Sequence, residues 1–141
     1  RDMALVALAG PSMNFFIAIL AGLPIRLGIV PLIHPFTSLG YMPLGWENLV
    51  GLFLGTVMLL NIIIGVFNLV PIPPLDGSKI VPLFLPHTLR SGYEKISSYG
   101  MFILILLIML PWFGLPGIGS VIGPVISTLV PFFSGANAVV F

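Results

Sequence analysis

The residue with the clearest chemical potential is Asp76, a carboxylate that closes the segment 68–77, NLVPIPPLDG. Pro73 and Pro74 stand before it and Gly77 follows it, and the prolines restrict the backbone that presents the carboxylate. The segment follows an apolar run long enough to cross a membrane. An ionisable side chain in such a place marks a functional site by default.

Two interpretations of Asp76 are equally open from its local spacing alone. The carboxylate could bind a metal ion, or it could cap a short helix that begins near Ser78, since aspartate is a preferred N-cap residue. Lys79 is close enough along the chain to form an ion pair with it.

Three asparagines, Asn14, Asn61 and Asn68, lie within or at the edge of apolar runs. Each amide needs hydrogen-bond partners in apolar surroundings. Asn61 and Asn68 are seven residues apart and therefore share one helix face, which we expect to point into a helix bundle. For Asn61 the favoured interpretation is a hydrogen bond between helices.

The composition places these polar residues in a membrane protein. Of 141 residues, 58% are hydrophobic and only 6% are charged, whereas a soluble domain has roughly a quarter charged residues. The absence of cysteine excludes disulfides and thiolate metal ligands, so a metal site would need His, Asp or Glu. A net charge of +1 without a basic cluster argues against nucleic acid as a partner.

The elements that position Asp76 are predicted to be about four transmembrane helices with a proline-broken segment after the second. The fold class is thus an all-α, polytopic membrane helix bundle, formed by a single domain over 1–141. Spans are predicted at about 3–23, 49–67, 96–111 and 118–133, joined by a loop at 24–48 and a polar segment at 72–98. Gly51 and Gly55 form a pair of small residues suited to close contact with another helix.

Lysine and arginine counts predict the orientation in the cell membrane. With four spans, one side carries Arg1, Lys79, Arg90 and Lys95, and the other carries Arg26 alone. The first side is therefore predicted to be cytoplasmic, which places Asp76 towards the cytoplasm.

Two sequence blocks resemble the site-2 protease family of intramembrane zinc metalloproteases. Residues 9–14, AGPSMN, look like the G-P-x-x-N signature of the helix that packs beside the zinc site in that family. Residues 68–77 look like its N-x-x-P-x-P-x-L-D-G signature. The resemblance covers the whole chain in layout, and 1–23 and 60–80 in sequence.

The resemblance implies a role for each matching residue. Asp76 would be the third protein ligand of one catalytic Zn²⁺, and Asn68 would be a catalytic polar group near the reacting carbonyl. Residues that position helices or support the ligands would be Gly10, Pro11, Asn14, Pro71, Pro73 and Gly77. We also predict that free carbonyls between Pro71 and Pro74 hold an unwound substrate.

The H-E-x-x-H motif of the family, which carries two zinc ligands and the general base, is absent, since neither His34 nor His87 is directly followed by Glu. We expect it upstream of residue 1, and we expect this chain alone to be inactive. The predicted function is an intramembrane zinc metalloprotease that cleaves peptide bonds in or near transmembrane segments of membrane proteins. The alternatives are an inactive, protease-like scaffold that binds transmembrane partners and, less favoured, a transporter segment.

Overall fold

In the computed structural model, which describes residues 2–35 and 45–135, the protein is built from helices. The helices are α1 Asp2–Arg26, α2 Trp46–Asn68, α3 Gly77–Phe84, α4 His87–Ser97, α5 Gly100–Met109, a 3₁₀ turn Leu110–Phe113, and α6 Ile118–Ser134. Within the described ranges there is no strand, which confirms the all-α prediction there.

Two helices, α1 and α2, are long and apolar enough to cross a membrane. Helix α4 and the helical run from Gly100 to Phe113 meet at an angle of 62° and would count as a third span only as a broken pair. Helix α6 has 17 residues, fewer than the roughly 20 that a span needs. Two or three spans are therefore supported, and the predicted fourth is not confirmed.

The predicted loop at 24–48 begins later than expected, because α1 continues to Arg26. The chain then turns at Gly28, where φ is +70°. The part of this loop at 36–44 lies outside the described residues.

Gly51 and Gly55 face the non-helical segment 31–33 rather than another helix, so the predicted helix contact is wrong for both. A Cβ at Gly51 would collide with the carbonyl oxygen of Pro31, and one at Gly55 would lie 2.9 Å from that of Ile33. Glycines four apart on a helix are separated by about 6 Å along its axis, so the pair can face two carbonyls of one neighbouring segment.

The chain divides into two compact units. One combines 1–12 with 65–125 and contains the proline-rich segment, and the other combines 13–64 with 126–141. In the second unit Met58, Leu59 and Ile62 on α2 are fully buried. Large apolar side chains are also strongly exposed, as with Phe53 at 66% and Phe102 at 74%. Such exposure is expected of a surface that faces lipid, and the chain is a membrane protein.

Candidate metal centre around Asp76

The segment between α2 and α3 is a series of tight turns. Three prolines in 71–74 remove the backbone donors that a helix would need. Instead, the amide of Ile72 donates to Val70 O at 2.8 Å, and the amide of Leu75 donates to Ile72 O at 3.0 Å. The Pro73–Pro74 peptide bond is cis. Asp76 therefore sits at the end of a folded segment, immediately before α3.

Asp76 occupies the N-cap position of α3, but its side chain makes no capping hydrogen bond. Its Oδ1 instead accepts a hydrogen bond from Lys79 Nζ at 2.8 Å. The short helix and the ion pair are thus as predicted, whereas the cap is not formed. The two side chains are 30% and 52% exposed, respectively, and an ion pair this open to water contributes at most about 1 kcal/mol.

The other carboxylate oxygen, Oδ2, faces Gly10 on α1. A Cβ added to Gly10 would lie 3.2 Å from Oδ2, closer than nearly all ordinary contacts of a Cβ. Gly10 opens the Gly-Pro-Ser-Met-Asn block and Asp76 belongs to the Leu-Asp-Gly block. The structure therefore brings together one residue from each of the two blocks that carry the family resemblance.

Two further glycines allow close backbone approaches around the segment. A Cβ at Gly77 would lie 2.5 Å from the carbonyl carbon of Leu69 and from Val70 O, and one at Gly100 would lie 2.6 Å from Pro73 O. Gly77 was predicted as a positioning residue, but its particular neighbours were not. Gly100 was missed because a glycine that opens an apolar helix carries no visible signal in sequence.

A tyrosine outside both blocks also contacts the segment. The Tyr93 hydroxyl on α4 lies 2.9 Å from Ser78 O and 3.4 Å from Pro71 O. Sequence reasoning missed Tyr93, since a tyrosine among polar residues near a membrane is ordinary.

The three asparagines, Asn14, Asn61 and Asn68, form fewer side-chain hydrogen bonds among the described residues than we predicted. Asn61 donates from Nδ2 to Val57 O at 2.8 Å. Both residues lie on α2, so the predicted hydrogen bond from Asn61 to another helix is wrong. The carbonyl one turn earlier is the nearest acceptor available to it. Asn14 and Asn68 are half-exposed, and no hydrogen bond from either amide occurs among residues 2–35 and 45–135. The roles predicted for both stay predictions.

The described residues do not form a complete zinc site by themselves. A zinc site uses at least three protein ligands, yet no group of three or more His, Cys, Asp or Glu side chains lies close enough to hold a metal within the described part of the chain. Asp76 offers one carboxylate, and its nearest charged neighbour is Lys79. The ligand role of Asp76 therefore stays a prediction.

The described residues thus form a helical membrane protein in which the Asp76 carboxylate lies against Gly10, at the Gly-Pro block of α1. Peptidase family M50 matches residues 1–111, and the chain belongs to this family. This confirms the resemblance to site-2 proteases at the level of the family.

One curated relative is "Putative zinc metalloprotease YwhC" of Bacillus subtilis (strain 168). It is 29% identical to this chain over 109 residues, which cover 76% of this chain and 46% of the relative. The chain thus spans less than half the length of the relative it matches. No solved structure matches the chain.

Proposed function

We propose that this chain supplies the aspartate-bearing part of an intramembrane zinc metalloprotease that cleaves membrane proteins in or near their transmembrane segments. The observation that carries the proposal is the placement of Asp76 Oδ2 against Gly10. Membership of family M50 supports the reaction class, and the two membrane-length helices support a location in the membrane.

The proposal assigns Asp76 as one ligand of a zinc ion whose remaining ligands and general base come from residues outside these 141. When bound, the ion would supply a water with its pKa lowered to about 7 and would polarise the substrate carbonyl. The chain's own part is to hold the Asp76 carboxylate in place. It does so through the turns of 69–75, the close approach of α1 at Gly10 and the start of α3.

Most carbonyls of the proline segment, which we predicted to hold the substrate, instead lie against groups of the protein. Ile72 O already accepts the amide of Leu75 at 3.0 Å. Pro71 O lies 3.4 Å from the Tyr93 hydroxyl, and Pro73 O lies beside Gly100. Three of the four carbonyls thus face groups of the protein itself.

Cleavage of a model transmembrane substrate by the full-length protein in liposomes tests the proposal. Asp76→Ala should reduce cleavage more than about 100-fold, since even the outer partners of metal ligands contribute 10–100-fold. Glu94→Gln is the matched control, because Glu94 is an exposed carboxylate on α4 with no ion pair among the described residues. It should cleave like the wild type.

Undiminished cleavage by Asp76→Ala would refute the metal-ligand role. A wild-type protein that neither binds zinc nor cleaves any transmembrane substrate would instead support the inactive scaffold.

A further inference from the structure

The Tyr93 hydroxyl reaches two carbonyl groups that bracket Asp76 in the chain. It donates to Ser78 O at 2.9 Å and lies 3.4 Å from Pro71 O. One acceptor lies five residues before Asp76 and the other two residues after it. A single side chain on α4 therefore contacts both ends of the segment that carries the carboxylate.

Pro82 explains why Ser78 O is available as an acceptor. In an α-helix the carbonyl of residue 78 accepts a hydrogen bond from the amide of residue 82. Residue 82 of α3 is a proline, which has no amide hydrogen. Ser78 is 8% exposed, and a buried acceptor without a donor is costly. The Tyr93 hydroxyl supplies the donor that Pro82 lacks.

A second contact from the same part of the chain holds the middle of the segment. α5 begins at Gly100, directly after the bend that follows α4. A Cβ at Gly100 would lie 2.6 Å from Pro73 O and 2.7 Å from Pro73 Cβ. The start of α5 thus packs tightly on Pro73, while Tyr93 contacts Pro71 and Ser78.

We infer that Tyr93 is a positioning residue for the Asp76 carboxylate: its hydroxyl hydrogen-bonds α4 to Ser78 O and also lies against Pro71 O at the other end of the segment 71–78. Tyr93 acts through the backbone, because its hydroxyl contacts Pro71 and Ser78 and not Asp76. The consequence for catalysis rests on the proposed function. The tether itself does not, and can be measured without any activity.

Amide hydrogen exchange in the full-length protein measures the tether directly. The amides of Leu75 and Lys79 donate within the segment and at the start of α3, so they report its local opening. Tyr93→Phe should raise their exchange roughly three- to tenfold, the effect of one lost hydrogen bond. Tyr99→Phe is the matched control: Tyr99 is 65% exposed, and its hydroxyl has no hydrogen bond within the described residues. It should leave exchange unchanged.

A Pro82→Ala background separates the hydroxyl from general packing of the ring. Alanine at 82 provides the amide that Ser78 O lacks, so Tyr93→Phe should then change exchange less than twofold. If Tyr93→Phe alone fails to fold, the double variant Tyr93→Phe/Pro82→Ala still tests the inference, because it should fold. An equal effect of Tyr93→Phe in both backgrounds, or none in either, would overturn the inference.

Cleavage kinetics link the tether to the site. Tyr93→Phe should lower kcat about three- to tenfold and leave KM within twofold, because a displaced ligand affects the reaction more than substrate binding. An unchanged kcat despite faster exchange would overturn the positioning role. If the wild type has no cleavage activity while the exchange pattern holds, the tether is supported and the proposed protease function is wrong.

Discussion

Replacing Gly77 with alanine tests the packing that sets the position of Asp76. The new Cβ would lie 2.5 Å from the carbonyl carbon of Leu69 and from Val70 O, whereas real Cβ atoms essentially never come closer than 3.0 Å. Leu69 O would lie nearer still, so the backbone must move, and no flexible side chain can absorb the shift. Overpacking of this kind costs about 1–3 kcal/mol, which corresponds to a roughly 5- to 150-fold rise in local opening.

Gly92→Ala is the matched control for this substitution. Gly92 lies within α4, and its added Cβ would meet nothing within 4 Å beyond its chain neighbours and its own helix backbone. Alanine there should stabilise the helix by up to about 1 kcal/mol. The same substitution should thus lower the free energy of unfolding at position 77 and raise it at position 92.

Hydrogen exchange of α3 amides and the denaturant midpoint of the full-length protein measure both effects. Gly77→Ala should speed exchange at the start of α3 and lower the midpoint, whereas Gly92→Ala should raise the midpoint slightly. If Gly77→Ala exchanges and unfolds like the wild type, the close packing of Leu69 and Val70 against this position is refuted.

Two more substitutions probe the surroundings of the carboxylate. Gly10→Ala should preserve or raise the stability of α1 but weaken zinc binding measured by competition with a chelator, because its Cβ would lie 3.2 Å from Asp76 Oδ2. Lys79→Met should change the free energy of unfolding by less than about 1 kcal/mol, since the Asp76–Lys79 pair is exposed to water. It should also leave zinc affinity equal or up to about fivefold tighter, because the ammonium no longer occupies Oδ1.

Gly123→Ala is the control for Gly10→Ala, since a Cβ at Gly123 on α6 meets no atom within 4 Å. Equal zinc affinity of Gly10→Ala and Gly123→Ala would contradict the proximity of α1 to the carboxylate. Weaker zinc binding in Lys79→Met would contradict the idea that the lysine competes with the ion.

The long apolar runs made α1 and α2 predictable, with ends within a few residues of those observed. The third helical region was harder to predict, because the uniformly apolar run is only 101–110 and the chain bends at 98–99, inside the predicted span 96–111. Its bend precedes Gly100, where the chain packs against Pro73. A contact across 27 positions of sequence leaves no trace in local periodicity.

The candidate site was predictable where local residues define it and hidden where distant ones do. The prolines and Gly77 singled out Asp76, yet spacing alone could not decide whether it caps a helix or binds a metal ion. The structure confirms the predicted pair with Lys79, and it alone shows that the other carboxylate oxygen faces Gly10. The role of Tyr93 arises because Pro82, in another helix, leaves Ser78 O without a backbone donor. Local sequence patterns do not reveal such a relation.

The most direct measurement of the central claim is X-ray absorption at the zinc edge of full-length protein that carries Asp76→Cys. These 141 residues contain no cysteine, so they contribute no other thiolate. If residue 76 binds the ion, a new zinc–sulfur distance of about 2.3 Å should appear, absent from the wild type. Zinc bound in the variant with only nitrogen and oxygen neighbours would show that residue 76 is not a ligand, and the proposed function would lose its basis in this chain.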